Sequence, residues 1–225
     1  MGMISSESPD IMARAVHFKE AKNAATSLAE CFADDRIARY YLQVSDYNRP
    51  LTPEEEKLNL RIYECLTAAH CHDGLVVTAG PCYDSVGLWL PPGSDWTWKT
   101  YWRSGLWLLW LRLGREGRAR FFGSWDTLEK SMTSTMGTRA SVTWVLTDLG
   151  TRKPSRGKGY ATKVMEYGLA LADAQCQPTY LECFDYNVPF YEKFGFRKRG
   201  AFSFDHTQEP IVLQTMVREP GSSSF

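Results

Sequence analysis

Arg156-Gly157-Lys158-Gly159-Tyr160-Ala161 lies between a β-like run ending near Thr151 and an amphipathic helical run beginning near Tyr160. Glycines at a strand-to-helix junction leave backbone N–H groups unobstructed, and the helix dipole adds partial positive charge at the same place. Such a junction is a ready cradle for a diphosphate. The magnesium-assisted phosphate loop is excluded, because it needs Ser or Thr directly after Gly-Lys and here Gly159 follows Lys158. The dinucleotide fingerprint needs three spaced glycines in an early strand-helix-strand unit, and only Gly157 and Gly159 are spaced correctly.

What fits is Arg/Gln-x-x-Gly-x-Gly/Ala, filled by Arg156, Gly159 and Ala161. Beyond the helix comes a second β-like run, Thr179 to Phe184, and then Asn187-Val188-Pro189-Phe190-Tyr191-Glu192-Lys193-Phe194-Gly195-Phe196. In this order the two segments resemble the acetyl-CoA pyrophosphate motif and the second signature of the GNAT acetyltransferase superfamily. The pattern is most similar to the puromycin N-acetyltransferase type, which shares Asn-x-Pro-Phe-Tyr-Glu and a Trp, here Trp144, opening the strand before the loop. The resemblance holds from Ser141 to Phe196, loosens over Ala13 to Leu90 and is absent from Pro91 to Thr138. It implies a mixed α/β (α+β) fold, with a central twisted, mostly antiparallel sheet that contains one splayed parallel pair and is flanked by helices.

Bulk properties bound the chain without choosing its chemistry. With 225 residues, 44% of them hydrophobic, one core suffices. We expect a single domain over residues 13–218 with an aromatic-rich helical insertion at about 91–138, between polar tails at 1–12 and 219–225. Lys plus Arg and Asp plus Glu each total 26, so nothing in the charge balance suggests a nucleic-acid partner. Six cysteines without a C-x-x-C pair, and no secretory leader, point to free thiols in the cytoplasm. His70-Cys71-His72 lacks a second pair of ligands at zinc-like spacing and reads as a solvated helix end, so no metal is expected. Leu106 to Leu111, the most apolar run, falls far short of the roughly 20 residues of a membrane helix. No membrane partner is expected, and monomer and homodimer both stay open.

Periodicity orders the rest. Ala13 to Phe18 reads as a strand and Glu20 to Phe32 as a helix, with Ala24, Leu28, Cys31 and Phe32 on one face. Thr52-Pro53-Glu54-Glu55 is a capping box that starts a helix running to about Cys71, and Gly74 stops it. Leu75 to Ala79 and Ser85 to Leu90 form a hairpin across a Gly-Pro turn. Between Trp96 and Gly137 the residues suggest two helices broken near Gly114 and Gly117. Trp98, Trp102, Leu106, Leu109 and Trp110 make a stripe suited to core, to a substrate-pocket wall or to a membrane-surface helix. Ser141 to Gly150, Gly159 to Ala174 and Thr179 to Phe184 read as strand, crossover helix and parallel strand. Phe196 to Phe204 and Pro210 to Val217 close the sheet, and Glu219 to Phe225 is a frayed tail.

Acetyl transfer from a thioester to an amine needs a neutral nucleophile, a site for the developing oxyanion and a proton for the departing thiolate. The resemblance assigns the pantetheine arm to backbone groups of Leu149 and Thr151. It assigns the pyrophosphate to the amides of Gly157, Lys158, Gly159, Tyr160 and Ala161, assisted by Arg156 and Lys158. Tyr191 is the candidate acid, because a phenol is protonated at neutral pH and can donate to a thiolate; alone it would read as a core aromatic. Asn187 could hydrogen-bond the pantetheine or cap the strand end. Glu182, mid-strand beside the expected splay, and Asp148, just before the pantetheine-binding stretch, are the candidate bases, with a water chain as the third route. The implied activity is acetyl-CoA-dependent acetylation of a primary amine on a small molecule, such as an antibiotic, a self-made toxic amine, a polyamine or an amino acid. A non-catalytic acyl-CoA-binding module and a protein N-acetyltransferase are the alternatives.

Overall fold

In the computed structural model, which describes residues 12–94, 96–204 and 210–222, the strands share one sheet. They are β1 (Ala13–Ala15), β2 (Leu75–Ala79), β3 (Ser85–Leu90), β4 (Trp144–Thr151), β5 (Thr179–Cys183), β6 (Arg197–Phe204) and β7 (Ile211–Arg218). Their spatial order is β1-β2-β3-β4-β5-β7-β6. The helices are α1 (Ala21–Phe32), α2 (Arg36–Tyr41), α3 (Pro53–Asp73), α4 (Trp98–Ser104), α5 (Leu106–Arg112), α6 (Arg115–Met136), α7 (Tyr160–Ala174) and α8 (Val188–Glu192).

All strand pairs are antiparallel except β4 with β5. The exception follows from the connection, because α7 carries the chain back along the sheet so that β5 starts at the same end as β4. On one face, Val164, Met165, Leu169 and Ala172 of α7 pack on Val77, Trp89, Trp144, Leu146 and Leu181. Close approach depends on Gly168: a Cβ there would lie 2.4 Å from the Trp89 ring. Helices α1, α3, α5 and α6 cover the other face through Leu28, Ile62, Leu66, Leu109 and Phe121 against Val76, Val86 and Leu88. Arg218, wholly buried, donates to both Asp173 oxygens at 2.7 and 2.8 Å and to the Phe194 carbonyl at 2.8 Å, joining β7 to the ends of α7 and α8.

One irregularity shapes the middle of the sheet. Leu88 faces Asp148 and Trp89 faces Leu146, so Thr147 is an extra residue in β4, a β-bulge. Pairing of β4 with β5 covers only Trp144–Thr179, Val145–Tyr180 and Leu146–Leu181. Beyond that point β4 stays with β3 and β5 with β7, so the sheet opens between Thr147 and Glu182.

The insertion differs from expectation. It forms three helices, with breaks at Gly105, whose φ is 80°, and at Gly114, while Gly117 lies inside α6. Gly117 is buried, and a Cβ there would come within 2.7 Å of the Gln43 side chain, so it serves close packing and not chain breaking. The expected stripe also divides: Leu106 and Leu109 are core, whereas Trp98, Trp102 and Trp110 are exposed. Helix α2 was not anticipated, since six residues are too few to show a period; Asp35 starts it by accepting from the amides of Ile37 and Ala38 at 2.8 and 3.1 Å. The C-terminal tail is tied down as far as residue 222: Arg139 pairs with Glu219 at 2.9 Å and the Gly221 amide donates to Asp173 at 2.9 Å. Residues 1–11 and 223–225 of the expected tails lie outside the described residues.

Candidate active site

The opening between β4 and β5 leaves backbone groups of β4 without strand partners. The Arg152 amide donates to the Asp84 carbonyl at 2.8 Å and the Gly150 carbonyl accepts from Ser85 Oγ at 3.2 Å, so both residues turn toward the β3 side. By alternation Leu149 and Thr151 aim their N–H and C=O groups into the opening. The Thr151 carbonyl is already met by Arg156 Nε at 3.2 Å.

At the end of β4 the chain turns through Gly157 and Gly159, with φ of 76° and 81°. This left-handed backbone region is open to glycine without strain. No atom lies within 4 Å of a Cβ built at either position, so the loop faces open space. Gly159 is the N-cap of α7, has no side-chain cap and is followed by no acidic residue in the first turn. Among the described residues the amides of Gly157 to Thr162 donate to no acceptor. A row of free amides at the positive end of a 15-residue helix is an anion cradle, and it fits the diphosphate of coenzyme A. Asp84, which bonds Ser155 Oγ and accepts from the Cys82 amide at 3.0 Å, braces this loop against the β2–β3 turn.

A cavity of about 650 Å³ runs through the opening and joins both faces of the sheet. Tyr191 lines it from the side of α7, where it packs with Phe190 and Phe196. The ring is 8% exposed, burial pushes the phenol above its ordinary range, and its hydroxyl has no hydrogen-bond partner among the described residues. Asn187, the N-cap of α8, also lines the cavity and makes no capping bond with its side chain.

The two candidate bases reach the cavity from different places. Glu182 accepts from the Tyr180 hydroxyl at 2.7 Å, and that hydroxyl lies 3.0 Å from Ser131 of α6. Burial raises the Glu182 carboxyl to about 7 despite this bond. Asp148 is raised to about 6, by burial first and by the like charge of Asp35 as well. Both carboxyls therefore titrate far closer to neutrality than an exposed carboxylate. Cys183 lines the cavity as well, and burial pushes its thiol up to about 12.

One constellation was missed from sequence and corrects the solvated-helix-end reading of His70. His70 is 1% exposed and lines the cavity, because Tyr63, Leu66 and His70 share the inner face of α3. Its Nδ1 lies 2.8 Å from the Leu66 carbonyl, which can only accept, so Nδ1 carries the proton. Burial lowers the ring to about 4 and keeps it neutral, which leaves Nε2 to accept from the Thr147 hydroxyl at 3.1 Å. The bulged residue is thus held by a buried histidine. The Leu66-to-His70 spacing of four was the available signal. The aromatic wall likewise comes from other residues than the expected stripe: Trp96 and Trp125 meet edge-on at 4.9 Å, with Phe121 at 5.1 Å from Trp125. No cluster of metal-ligating side chains occurs among the described residues.

Known proteins share this fold. Residues 89–196 match the Acetyltransferase (GNAT) family. An uncharacterised N-acetyltransferase of Schizosaccharomyces pombe is 31% identical over 215 residues, covering 94% of this chain and 85% of that protein. Among solved structures, a mosquito arylalkylamine N-acetyltransferase like 5b aligns with a TM-score of 0.63 at 14% identity, over 93% of this chain and 100% of the other. A structure from Corynebacterium glutamicum, described as histone acetyltransferase HPA2 and related acetyltransferase, gives 0.61 at 16% identity, over 96% and 99%. The protein is an acyltransferase. It belongs to the GNAT acetyltransferase family.

Proposed function

We propose that the chain transfers the acetyl group of acetyl-CoA to a primary amine on a small molecule, by direct attack within a ternary complex. The observation that carries this reading is the cavity through the splayed sheet, with Tyr191 on one side of the opening and carboxylates on the other. Its lining includes Asp35, Glu129, Asp148 and Glu182 and, among the described residues, no Lys or Arg. Such a lining favours an ammonium and disfavours acceptors that carry an acidic group.

When bound, acetyl-CoA supplies an activated acyl thioester. The amides from Gly157 to Ala161 would hold its diphosphate with help from Arg156 and Lys158, while Leu149, Thr151 and Asn187 would meet the pantetheine arm. Glu182, half ionised at its value of about 7 and more so above it, takes a proton from the ammonium directly or through water; Asp148 is the rival for that role. The Tyr191 hydroxyl gives its proton to the departing thiolate. Direct attack fits better than an acyl-cysteine route, because a Cys183 thiol pushed up to about 12 stays protonated near neutrality.

The likeness to puromycin N-acetyltransferase in Trp144 and Asn187 to Glu192 supports an acceptor with a planar or apolar body beside its amine, and the Trp96, Trp125 and Phe121 wall suits such a body. The mosquito neighbour, an arylalkylamine N-acetyltransferase by description, points the same way. Six free cysteines suit a reducing compartment such as the cytoplasm. The test is an acetyl-CoA titration followed by a thiol-release screen across arylalkylamines, polyamines, amino acids and peptide amines. Release with one of the first two classes supports the reading. Heat stabilisation by coenzyme A with no acetylated product from any class would instead identify a binding-only module.

A further inference from the structure

Of the nine large hydrophobic residues exposed among those described, four fall between residues 98 and 111: Trp98 at 75%, Trp102 at 62%, Trp110 at 48% and Leu111 at 62%. These four lie on two consecutive helices that contact one another. Thr100 and Ser104 of α4, and Leu106 and Leu109 of α5, turn inward, which leaves Trp98 and Trp102 on the outer face of α4 and Trp110 and Leu111 on that of α5. The left-handed turn at Gly105 lets the two helices meet, and Trp102 stacks on Trp107 across it at 4.6 Å between centroids and 6° between planes.

The charged side chains of the two helices and the start of α6 are mostly basic. Residues 98–120 contain six basic side chains, Lys99, Arg103, Arg112, Arg115, Arg118 and Arg120, against one acid, Glu116, although the whole chain is neutral. Glu116 is taken by Arg120, which also turns inward to the Tyr40 carbonyl. Among the described residues, Lys99, Arg103, Arg112 and Arg115 form no ion pair, and Arg118 lies over the Trp110 ring at 4.3 Å.

Exposed tryptophans interleaved with unpaired cations match the boundary between acyl chains and anionic headgroups, where indole rings sit at the interface and Arg and Lys meet phosphate. We propose that the outer face of α4 and α5 docks this enzyme onto an anionic phospholipid surface. Helices of seven residues lie on such a surface and cannot cross it. A second copy fits worse, because a two-fold contact would set each cationic patch against itself. Helix α4, which carries Trp98 and Trp102 on its outer face, abuts the cavity wall from its inner side: Tyr101 lies 6.2 Å from Trp125, which lines the cavity. This proposal departs from the expectation of no membrane partner and takes up the membrane-surface reading of the stripe, on the exposure of Trp98, Trp102 and Trp110 that the residue order alone did not reveal.

The experiment is co-sedimentation of the full chain with phosphatidylcholine vesicles, with and without phosphatidylserine. We expect binding on the order of tenfold greater to the anionic vesicles, falling as salt is raised. A Trp98→Ser/Trp102→Ser variant and, separately, an Arg112→Glu/Arg115→Glu variant should each lose that binding while acetylating a soluble amine like the parent. Because these side chains are exposed, folding is checked by their unchanged circular dichroism and melting. Absence of binding to anionic vesicles, or equal binding by both variants, overturns the proposal. So does a parent dimer that the Trp variant splits, or polynucleotide binding that outcompetes the vesicles.

Discussion

At Glu182 and Asp148 the decisive physics is burial, which lifts each carboxyl toward the pH at which an amine must lose its proton. Below its pKa a carboxyl is neutral and cannot accept that proton, so the rate must fall on the acid side. The kcat/KM profile of the parent should show an acid limb near pH 7. Glu182→Gln should abolish that limb and Asp148→Asn should keep it; the opposite pattern would make Asp148 the base, and two unchanged profiles would leave a water chain. Tyr191→Phe should fold normally, because its hydroxyl bonds no described residue, yet should lose about 100-fold or more in kcat. Unchanged turnover would remove Tyr191 from the mechanism. The letters alone pointed to Tyr191 and Asn187 through the Asn-x-Pro-Phe-Tyr-Glu run. They could not show that Tyr180 bonds Glu182, although the i, i+2 spacing on β5 puts both on one face. Nor could they show that His70 grips Thr147, which depends on the side of α3 that meets the sheet.

Among the elements, the junction of β4 and α7 was the most legible, because glycine there answers a local need. Gly157 and Gly159 both adopt the left-handed backbone that their side-chain-free character allows. Gly159→Val should strain that backbone by about 1–2 kcal/mol and crowd the free amides. The predicted result is a rise of about tenfold or more in KM for acetyl-CoA, with a smaller change in KM for the amine, measured by initial rates. Equal changes for both substrates would argue against a cradle at this turn. The Thr52 capping box was equally readable: its hydroxyl accepts from the Glu55 amide at 3.3 Å and its amide donates to Glu55 at 2.8 Å. Helices α4 to α6 were not, since glycine breaks a helix in one place and permits tight packing in another; a Cβ would be crowded at both Gly105 and Gly117, and only the left-handed backbone at Gly105 distinguishes the two.

For the whole molecule, the parallel pair inside an antiparallel sheet follows from one crossover helix, and it was foreseeable from the strand-helix-strand order around the loop. The bulge at Thr147 was not, because it is defined by the register of β3 against β4, two strands far apart in sequence. This opening has a cost in stability that pH can reveal. The folded-state value of Glu182 is raised from 4.5 to about 7, so the folded chain holds that proton more tightly than the unfolded chain. Its contribution is fully present below pH 4.5 and is lost as the pH rises through about 7. Glu182→Gln, which stays neutral, should therefore melt higher than the parent at pH 8 and nearly with it at pH 4; a higher melting point at both would assign the effect to packing instead.

In the proposed mechanism, free amides at the start of α7 take the diphosphate of coenzyme A and the open sheet leads its sulfur to Tyr191. A crystal structure of the complex with coenzyme A tests it most directly. The predicted density places the diphosphate on the amides of Gly157 to Ala161, the pantetheine arm between β4 and β5, and the thiol within hydrogen-bond reach of Tyr191 Oη. Cofactor bound elsewhere, or a thiol remote from that hydroxyl, would contradict the account.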